Sequence, residues 1–187
     1  MDHYIDLRLR PDPEFSPETL LNALYAKLHR ALVRHGQGDI GISFPDVRDA
    51  DMELGERLRL HGGMTTLKLF VEGAWLSGMR DHVSIGQTIQ APAHSEHRVV
   101  RRVQAKSNVE RLRRRHIKRH GLSEEQAQGR VPDSAAQRLR LPCVQLNSTS
   151  TDQSFPLFIQ HGELLEHAQP GAFNSYGLST TATIPWF

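Results

Sequence analysis

The sequence has 187 residues, which is enough for one domain or two small ones. Apolar residues make up 38% and charged residues 24% of it, as is ordinary for a soluble globular protein, and no run of about 18 apolar residues predicts a transmembrane helix. Cys143 is the only cysteine, so an internal disulfide and a thiolate zinc cluster are excluded, and a reducing cytoplasm is the expected location.

The first part of the chain predicts the element order βαββαβ. Alternating apolar residues predict four short strands, at residues 5–9, 40–44, 58–60 and 82–85. Ser16 and Pro17 are typical of a helix start, and leucines at helical spacing continue that helix to Gly36. A second helix is predicted in MTTLKLFVEG. This order is that of a ferredoxin-like domain, so the expected fold class is α+β.

The second part of the chain predicts a separate α/β module. Residues 87–94 show little periodicity, so we expect a linker there and two domains, 1–94 and 95–187. The elements expected after the linker are, in order, a strand at 97–104, an arginine-rich helix at 107–121, a short helix capped by Ser123 and Gln126, a helical turn within 132–140 and a hairpin of two strands starting at Cys143 and Phe155. The tail from Gly171 to Phe187 is small, polar and turn-rich.

The helix at 107–121 is the strongest feature of the sequence. Ser107 and Glu110 form a candidate capping box, and Gly121 occupies the position of a left-handed C-cap. At about 100° per residue, five cations fall within an arc of about 140°. These cations are Arg111, Arg114, Arg115, Lys118 and Arg119.

The charge of this helix is local. Six Arg or Lys residues and one Glu give residues 107–121 a charge of +5, whereas the whole chain carries +2, so the remaining residues sum to −3. A localised cationic patch favours a polyanion such as nucleic acid as the partner. A solvated basic face is the ordinary alternative. A membrane-surface helix is disfavoured, because only Val109, Leu112 and Ile117 could form its apolar side.

Few residues suggest chemistry by pattern alone. His29 lies beside the apolar stripe of the first helix, where a lone histidine is usually structural. Ser148 to Thr151 form a hydroxyl cluster that is equally typical of a hairpin turn, and Phe155 could belong to the core or stack on a base pair. The sequence contains no zinc motif, phosphate-binding loop, dinucleotide fingerprint or nucleophile elbow, so no metal and no cofactor is expected.

The combination of these features resembles a known family. A ferredoxin-like N-terminal domain precedes an arginine-rich helix, with His29 in KLHRAL, Ser148 and Ser150 in NSTS, Phe155, and Tyr176 in SYGLS. Together they resemble the CRISPR-associated endoribonucleases of type I-F systems, the Csy-type enzymes that cut precursor CRISPR RNA within each repeat. The segments RVQAKSNVERLRRR and GERLRLH carry the resemblance too, which spans the whole chain.

The resemblance implies an activity. An enzyme of this kind binds the stem-loop of the repeat RNA and cleaves on the 3′ side of the stem without a metal. The nucleophile is the 2′-hydroxyl of the RNA itself, so the products are a 2′,3′-cyclic phosphate and a 5′-hydroxyl. The enzyme then retains the processed CRISPR RNA and joins the other subunits of the type I-F surveillance complex.

The resemblance also assigns roles to residues. His29 corresponds to the catalytic histidine, Ser148 would hold the ribose with Ser150 beside it, and Tyr176 would orient the histidine ring. For the RNA, the resemblance implies stacking by Phe155, base-edge contacts by Arg102 and Gln104, and major-groove contacts by Arg115, Lys118, Arg119 and His120. Arg111 and Arg114, on the same cationic face, are further candidates for RNA contact. Position 118 is Lys where the family pattern has Arg, which keeps the charge but loses the planar fork.

The chemistry fits these roles. Positioning a 2′-hydroxyl in line with its leaving group can contribute several kcal/mol, and a general base typically adds about 10²–10⁴-fold. Imidazole has an unperturbed pKa of about 6.5 and can therefore act as a base at pH 7. Two alternatives remain open at this stage. One is a non-catalytic RNA-hairpin-binding subunit of a ribonucleoprotein, in which His29 and Ser148 are structural. The other is a DNA-binding regulator, which would need a partner helix or a dimer.

Overall fold

The structure is a computed structural model, and it describes residues 1–104, 109–130, 139–148 and 153–187. The chain divides into two compact units. The first contains Met1–Arg102 and Leu141–Phe187, and the second contains Val103–Arg140. Antiparallel sheets and helices occur together in the first unit, so the expected α+β class is confirmed. None of the helices in these described ranges is long and apolar enough to span a membrane.

The first sheet follows the predicted βαββαβ order. Its strands are β1 (His3–Leu9), β2 (Gly41–Ser43), β3 (Arg57–Gly62), β4 (Val83–Ile85) and the short β5 (Ile89–Gln90). The spatial order is β2-β3-β1-β4, and every pairing is antiparallel, with β5 also pairing β1. In the register of β1 and β3, Ile5 lies opposite Leu60 and Leu7 opposite Leu58, and all four are buried.

Two helices accompany this sheet, and the longer one is specified by its caps. These helices are α1 (Pro17–His35) and α2 (Met64–Glu72), and a single 3-10 turn (Ala74–Leu76) follows α2. The Ser16 hydroxyl accepts a hydrogen bond from the Thr19 amide at 3.2 Å, and α1 stops at Gly36, as predicted. Gly36 has the left-handed conformation. The buried face of α1 is Leu20, Leu21, Leu24, Tyr25, Leu28, Ala31 and Leu32. His29 therefore lies at the edge of a face that packs into the core.

The second sheet belongs to the same core. It has the order β7-β8-β6-β9, formed by β6 (Glu96–Val103), β7 (Cys143–Asn147), β8 (Ser154–His161) and β9 (Thr183–Trp186). The predicted hairpin is present, because β7 and β8 pair antiparallel with Leu146 opposite Phe155. The Asn22 side chain of α1 accepts a hydrogen bond from the Gln145 amide of β7 at 2.8 Å. This contact ties α1 to the second sheet.

Two stretches expected to be irregular are partly strands. The expected linker at 87–94 contains β5, and the Ala91 amide donates to the Asp2 carbonyl at 2.8 Å. The expected turn-rich tail contains β9, and Phe173, Leu178 and Ile184 within it are buried. Both strands are too short to show a period-two pattern, and β9 includes a proline that is tolerated at the edge of a sheet.

The predicted division at residue 94 stays a prediction. The compact units differ from it, because residues 141–187 lie in the same unit as residues 1–102.

Two helices lie in the part of the second unit that the structure describes. These are α3 (Val109–His120) and α4 (Glu124–Arg130). Gly121 has φ 61° and its amide donates to the Ile117 carbonyl, so the predicted C-cap is confirmed. Ser123 and Gln126 exchange two backbone-to-side-chain hydrogen bonds, so the predicted capping box of α4 is also confirmed. The predicted cap by Ser107 and Glu110 and most of the predicted turn at 132–140 lie outside the described residues.

Candidate active site and cationic helix

A cleft of about 420 Å³ in the first unit contains four of the predicted site residues. His29 enters it from α1, Ser148 from the end of β7, Phe155 from β8 and Tyr176 from the turn before β9. The packing of α1 against β7 brings His29 close to Ser148 and Phe155, although they are far apart in sequence. Contacts with His29 bring Tyr176 to the same cleft. Which role each residue takes in a reaction stays a prediction.

The His29 ring is held by a backbone carbonyl. Its Nδ1 lies 2.8 Å from the carbonyl oxygen of Ser175. Because a carbonyl can only accept, Nδ1 carries the hydrogen in this bond. A neutral His29 therefore presents an unprotonated Nε2, which is the nitrogen able to take a proton from a bound hydroxyl.

Tyr176 packs flat against the same imidazole. The two ring centroids are 4.1 Å apart, with an angle of 3° between the ring planes. The backbone carbonyl of Tyr176 accepts a hydrogen bond from the hydroxyl of Tyr25, at 2.9 Å. Burial raises the pKa of Tyr25 well above its ordinary value, so its hydroxyl remains a donor at any physiological pH. The backbone of Tyr176 is thus anchored to α1.

The serine side of the cleft is described only in part. The Ser148 amide donates to the Gln153 carbonyl at 2.9 Å, and the residue is half-buried in the cleft wall. The predicted site residue Ser150 lies outside the described residues.

Arg102 lies against the aromatic residues of this cleft. Its guanidinium carbon is 5.3 Å from the centroid of Tyr176 and 5.8 Å from that of Phe155. Both distances are within the range of a cation–π contact. Phe155 is half-buried and lines the cleft, so part of its ring is accessible. Gln104, the other predicted base-reading residue, is exposed.

Two cations of the cleft were not predicted from the sequence. Arg30 and Arg34 are exposed residues of α1 and line the cleft together with His29. Their i,i+4 spacing places them on one face of the helix, beside the histidine. The spacing of Arg30 and Arg34 is visible in the sequence, but it does not indicate a site, because a charged outer face is ordinary for a surface helix.

The cationic helix α3 of the second unit is solvent-facing as predicted. Arg114, Arg115, Lys118 and Arg119 are exposed, and so is His120. A separate cleft of about 730 Å³ is lined by Arg115, His116, Lys118, Arg119 and His120, with Leu112 at its wall. The side chain of Arg111 lies outside what the structure describes. The apolar side of α3 is half-buried at Leu112 and Ile117. The helix packs against α4.

Within the described residues, no three His, Cys, Asp or Glu side chains are grouped as a metal site would require.

Comparison with known proteins assigns the family of this α+β chain. Residues 4–187 match the family described as "CRISPR-associated protein (Cas_Csy4)". The chain therefore belongs to this family, and the resemblance noted in the sequence is confirmed.

Two relatives match along their whole length. A Pseudomonas aeruginosa (strain UCBPP-PA14) protein named CRISPR-associated endonuclease Cas6/Csy4 is 52% identical over 187 residues, covering 100% of both chains. An Escherichia coli (strain UTI89 / UPEC) protein of the same name is 50% identical over 187 residues, again covering 100% of both.

Proposed function

We propose that this protein is an endoribonuclease that binds the stem-loop of a CRISPR repeat and cuts the precursor RNA on the 3′ side of the stem. The observation that carries the proposal is the cleft in which His29, Ser148, Phe155 and Tyr176 meet, with the His29 Nδ1 held by a carbonyl. Two full-length relatives at about half identity are named CRISPR-associated endonucleases, which supports the same activity.

The proposed reaction needs no metal. His29 Nε2 takes the proton from the 2′-hydroxyl of the nucleotide before the scissile bond, and the 2′-oxygen forms a bond to the phosphorus. The bond between phosphorus and the 5′-oxygen breaks, and the leaving oxygen takes up a proton from solvent. The products are a 2′,3′-cyclic phosphate and a 5′-hydroxyl. Base catalysis and in-line positioning are the two sources of rate acceleration.

The other residues of the cleft position the RNA. The hydroxyl of Ser148 holds the ribose without moving a proton, with Ser150 assisting. Phe155 stacks on the terminal base pair of the stem, because an accessible aromatic face accepts any base pair. Arg102, beside that ring, and Gln104 contact base edges near the bottom of the stem, where the groove opens.

The arginine-rich helix supplies most of the affinity. In this proposal Arg111, Arg114, Arg115, Lys118, Arg119 and His120 contact the RNA. The major groove of a long A-form duplex is too deep and narrow for a helix, but it opens at the end of a stem and at a loop. The ligand is therefore a short structured hairpin. The enzyme retains its product and becomes a subunit of the type I-F surveillance complex in the cytoplasm.

The decisive variant is His29→Ala. We expect it to bind a labelled repeat hairpin with the affinity of the unmodified protein, and to lose at least about 10²-fold in cleavage rate, since it lacks the base. The measurement is single-turnover cleavage on a denaturing gel in EDTA, beside a binding titration.

His35→Ala is the matched control. His35 is a partly exposed histidine on the same helix that contacts Asp39 and lines a different cleft. It should cleave at the unmodified rate. Full cleavage by His29→Ala would contradict the proposal, and absence of any discrete product from the unmodified protein would favour a non-catalytic RNA-binding subunit.

A further inference from the structure

The turn at residues 174–178 is stabilised by several hydrogen bonds between its own residues. The amide of Gly177 donates to the carbonyl of Asn174 at 2.8 Å, and the amide of Asn174 donates to the carbonyl of Leu178 at 2.9 Å. The side-chain oxygen of Asn174 accepts two further hydrogen bonds, from the amide of Tyr176 at 2.8 Å and from that of Leu178 at 3.2 Å. One exposed side chain therefore links the beginning, middle and end of the turn.

Two neighbouring elements fix the place of this turn. The carbonyl of Gly177 accepts a hydrogen bond from the Ile42 amide of β2 at 3.0 Å. Gly177 itself has φ 71°, and a Cβ there would lie 2.6 Å from a methyl carbon of Ile42. Only glycine can take this conformation at such close approach.

The helix α1 binds the turn at two successive carbonyls. The hydroxyl of Tyr25 donates to the Tyr176 carbonyl at 2.9 Å, and Nδ1 of His29 donates to the Ser175 carbonyl at 2.8 Å. Tyr25 and His29 are four residues apart, so they lie on the same face of α1. The Tyr25 hydroxyl is fully buried, whereas the imidazole faces the cleft.

The turn therefore controls two properties of the imidazole. The Ser175 carbonyl can only accept a hydrogen bond, so its position beside Nδ1 favours the tautomer that carries the hydrogen on Nδ1. The position of the Tyr176 backbone decides where the stacked ring lies and hence the plane of the imidazole. Both positions depend on the conformation that the Asn174 side chain stabilises.

We propose that Asn174 is a positioning residue for the cleavage reaction. Its side-chain oxygen shapes the turn so that the Ser175 carbonyl keeps the hydrogen on Nδ1 and leaves Nε2 of His29 directed at the RNA 2′-hydroxyl. The inference rests on the proposed function, and it adds a residue that acts on His29 through the backbone of the turn.

The test compares Asn174→Ala with Asn174→Asp. The alanine variant lacks the acceptor, so we expect its single-turnover cleavage rate at saturating protein to fall about tenfold or more, while its affinity for a hairpin with a 2′-deoxy scissile nucleotide changes less than about threefold. The aspartate variant retains an acceptor oxygen and should recover most of the rate. At saturating protein all the RNA is bound, so the measured rate does not depend on any effect of the added negative charge on RNA binding.

Asp12→Ala is the matched control for loss of a turn. The side-chain oxygen of Asp12 accepts hydrogen bonds from the amides of Glu14 and Phe15, at 2.9 and 3.0 Å. Asn174 bonds to its own turn in the same way, but the turn at Asp12 does not line the cleft. Urea unfolding of both alanine variants gives the loss of stability in each. Asp12→Ala should lose stability without losing cleavage rate.

A second readout does not depend on activity. Nitrogen-15 chemical shifts report which ring nitrogen is protonated, and the His29 signals are assigned by their loss in His29→Ala. We expect the unmodified protein to show the Nδ1–H tautomer of His29, and Asn174→Ala to show a mixture. An unchanged tautomer together with an unchanged cleavage rate in Asn174→Ala would overturn the inference, whereas no cleavage by the unmodified protein would overturn the proposed function instead.

Discussion

We expect Tyr176 to contribute to the proposed cleavage reaction through its aromatic ring. Its flat stack on His29 and its cation–π contact with Arg102 both involve the aromatic face. We therefore expect Tyr176→Phe to cleave repeat RNA within about twofold of the unmodified rate. Tyr176→Leu loses the stack, and since an aromatic pair is worth about 0.5–1.5 kcal/mol, its rate should fall by up to about tenfold. Single-turnover kinetics measure both.

The control for these substitutions is binding. Both variants should keep their affinity for an uncleavable hairpin, because the stack is proposed to orient the histidine for the reaction and not to bind the RNA. If Tyr176→Phe were as slow as Tyr176→Leu, the hydroxyl rather than the ring would be the active group.

At the residue scale the sequence predicts little by pattern alone. His29 follows Leu28 on an amphipathic helix, and nothing in that spacing distinguishes a catalytic histidine from a structural one. Only the resemblance singled it out. The carbonyl of Ser175 and the buried Tyr25 hydroxyl could not have been foreseen, because their contacts with His29 and Tyr176 join parts of the chain about 150 positions apart.

Among the elements, we expect α1 to bind RNA as well as to carry His29. Arg30 and Arg34 give its cleft side two exposed cations. We expect Arg30→Gln and Arg34→Gln each to weaken binding of the repeat RNA, because a cation near the scissile phosphate neutralises backbone charge. For each variant, the slope of log affinity against log salt concentration should become shallower by about 0.7–1.

Arg80→Gln is the matched control, since Arg80 is exposed and does not line this cleft. Its salt slope should equal that of the unmodified protein. If Arg30→Gln and Arg34→Gln also kept the unmodified slope, the RNA would not pass along α1.

Helices were predicted well because their ends carry local signals. Ser16, Pro17 and Gly36 define α1, and Ser123 with Gln126 defines the start of α4, by hydrogen bonds within a few residues. The short strands β5 and β9 were missed because such strands are specified by the partner strand rather than by their own residues. The contact between β9 and β6 joins residues that are distant in sequence, and no local pattern encodes it.

For the molecule as a whole, buried histidines predict a pH-dependent stability. Burial, and then the nearby Arg98 guanidinium, lower the pKa of His161 to about 4, and burial lowers the pKa of His61 well below its ordinary value. In the unfolded chain these histidines bind protons at about pH 6.5, whereas in the folded chain they do so only at lower pH. The free energy of unfolding is therefore highest above pH 6.5 and falls as the pH drops towards 4. Between pH 6.5 and 4, protonation of His161 should lower the free energy of unfolding by an amount on the order of 3 kcal/mol.

The measurement is the free energy of unfolding by urea between pH 7 and pH 4.5. His161→Leu should reduce the pH dependence of the free energy of unfolding only in part, because His61 still contributes to it. The His161 side chain packs near Phe44 and Trp186, so leucine suits its surroundings. An equal pH dependence in His161→Leu and in the unmodified protein would exclude His161 as its source.

In the whole protein with its RNA, we propose that the cleft around His29 cuts RNA by using the RNA's own 2′-hydroxyl. The most direct measurement is cleavage, in EDTA, of a repeat hairpin carrying a single 2′-deoxy nucleotide before the scissile bond, beside the all-ribose hairpin, with mass spectrometry of the fragments. We expect the all-ribose hairpin to yield a 2′,3′-cyclic phosphate and a 5′-hydroxyl, and the 2′-deoxy hairpin to be bound and left intact. Cleavage of the 2′-deoxy hairpin at a comparable rate would contradict this proposal.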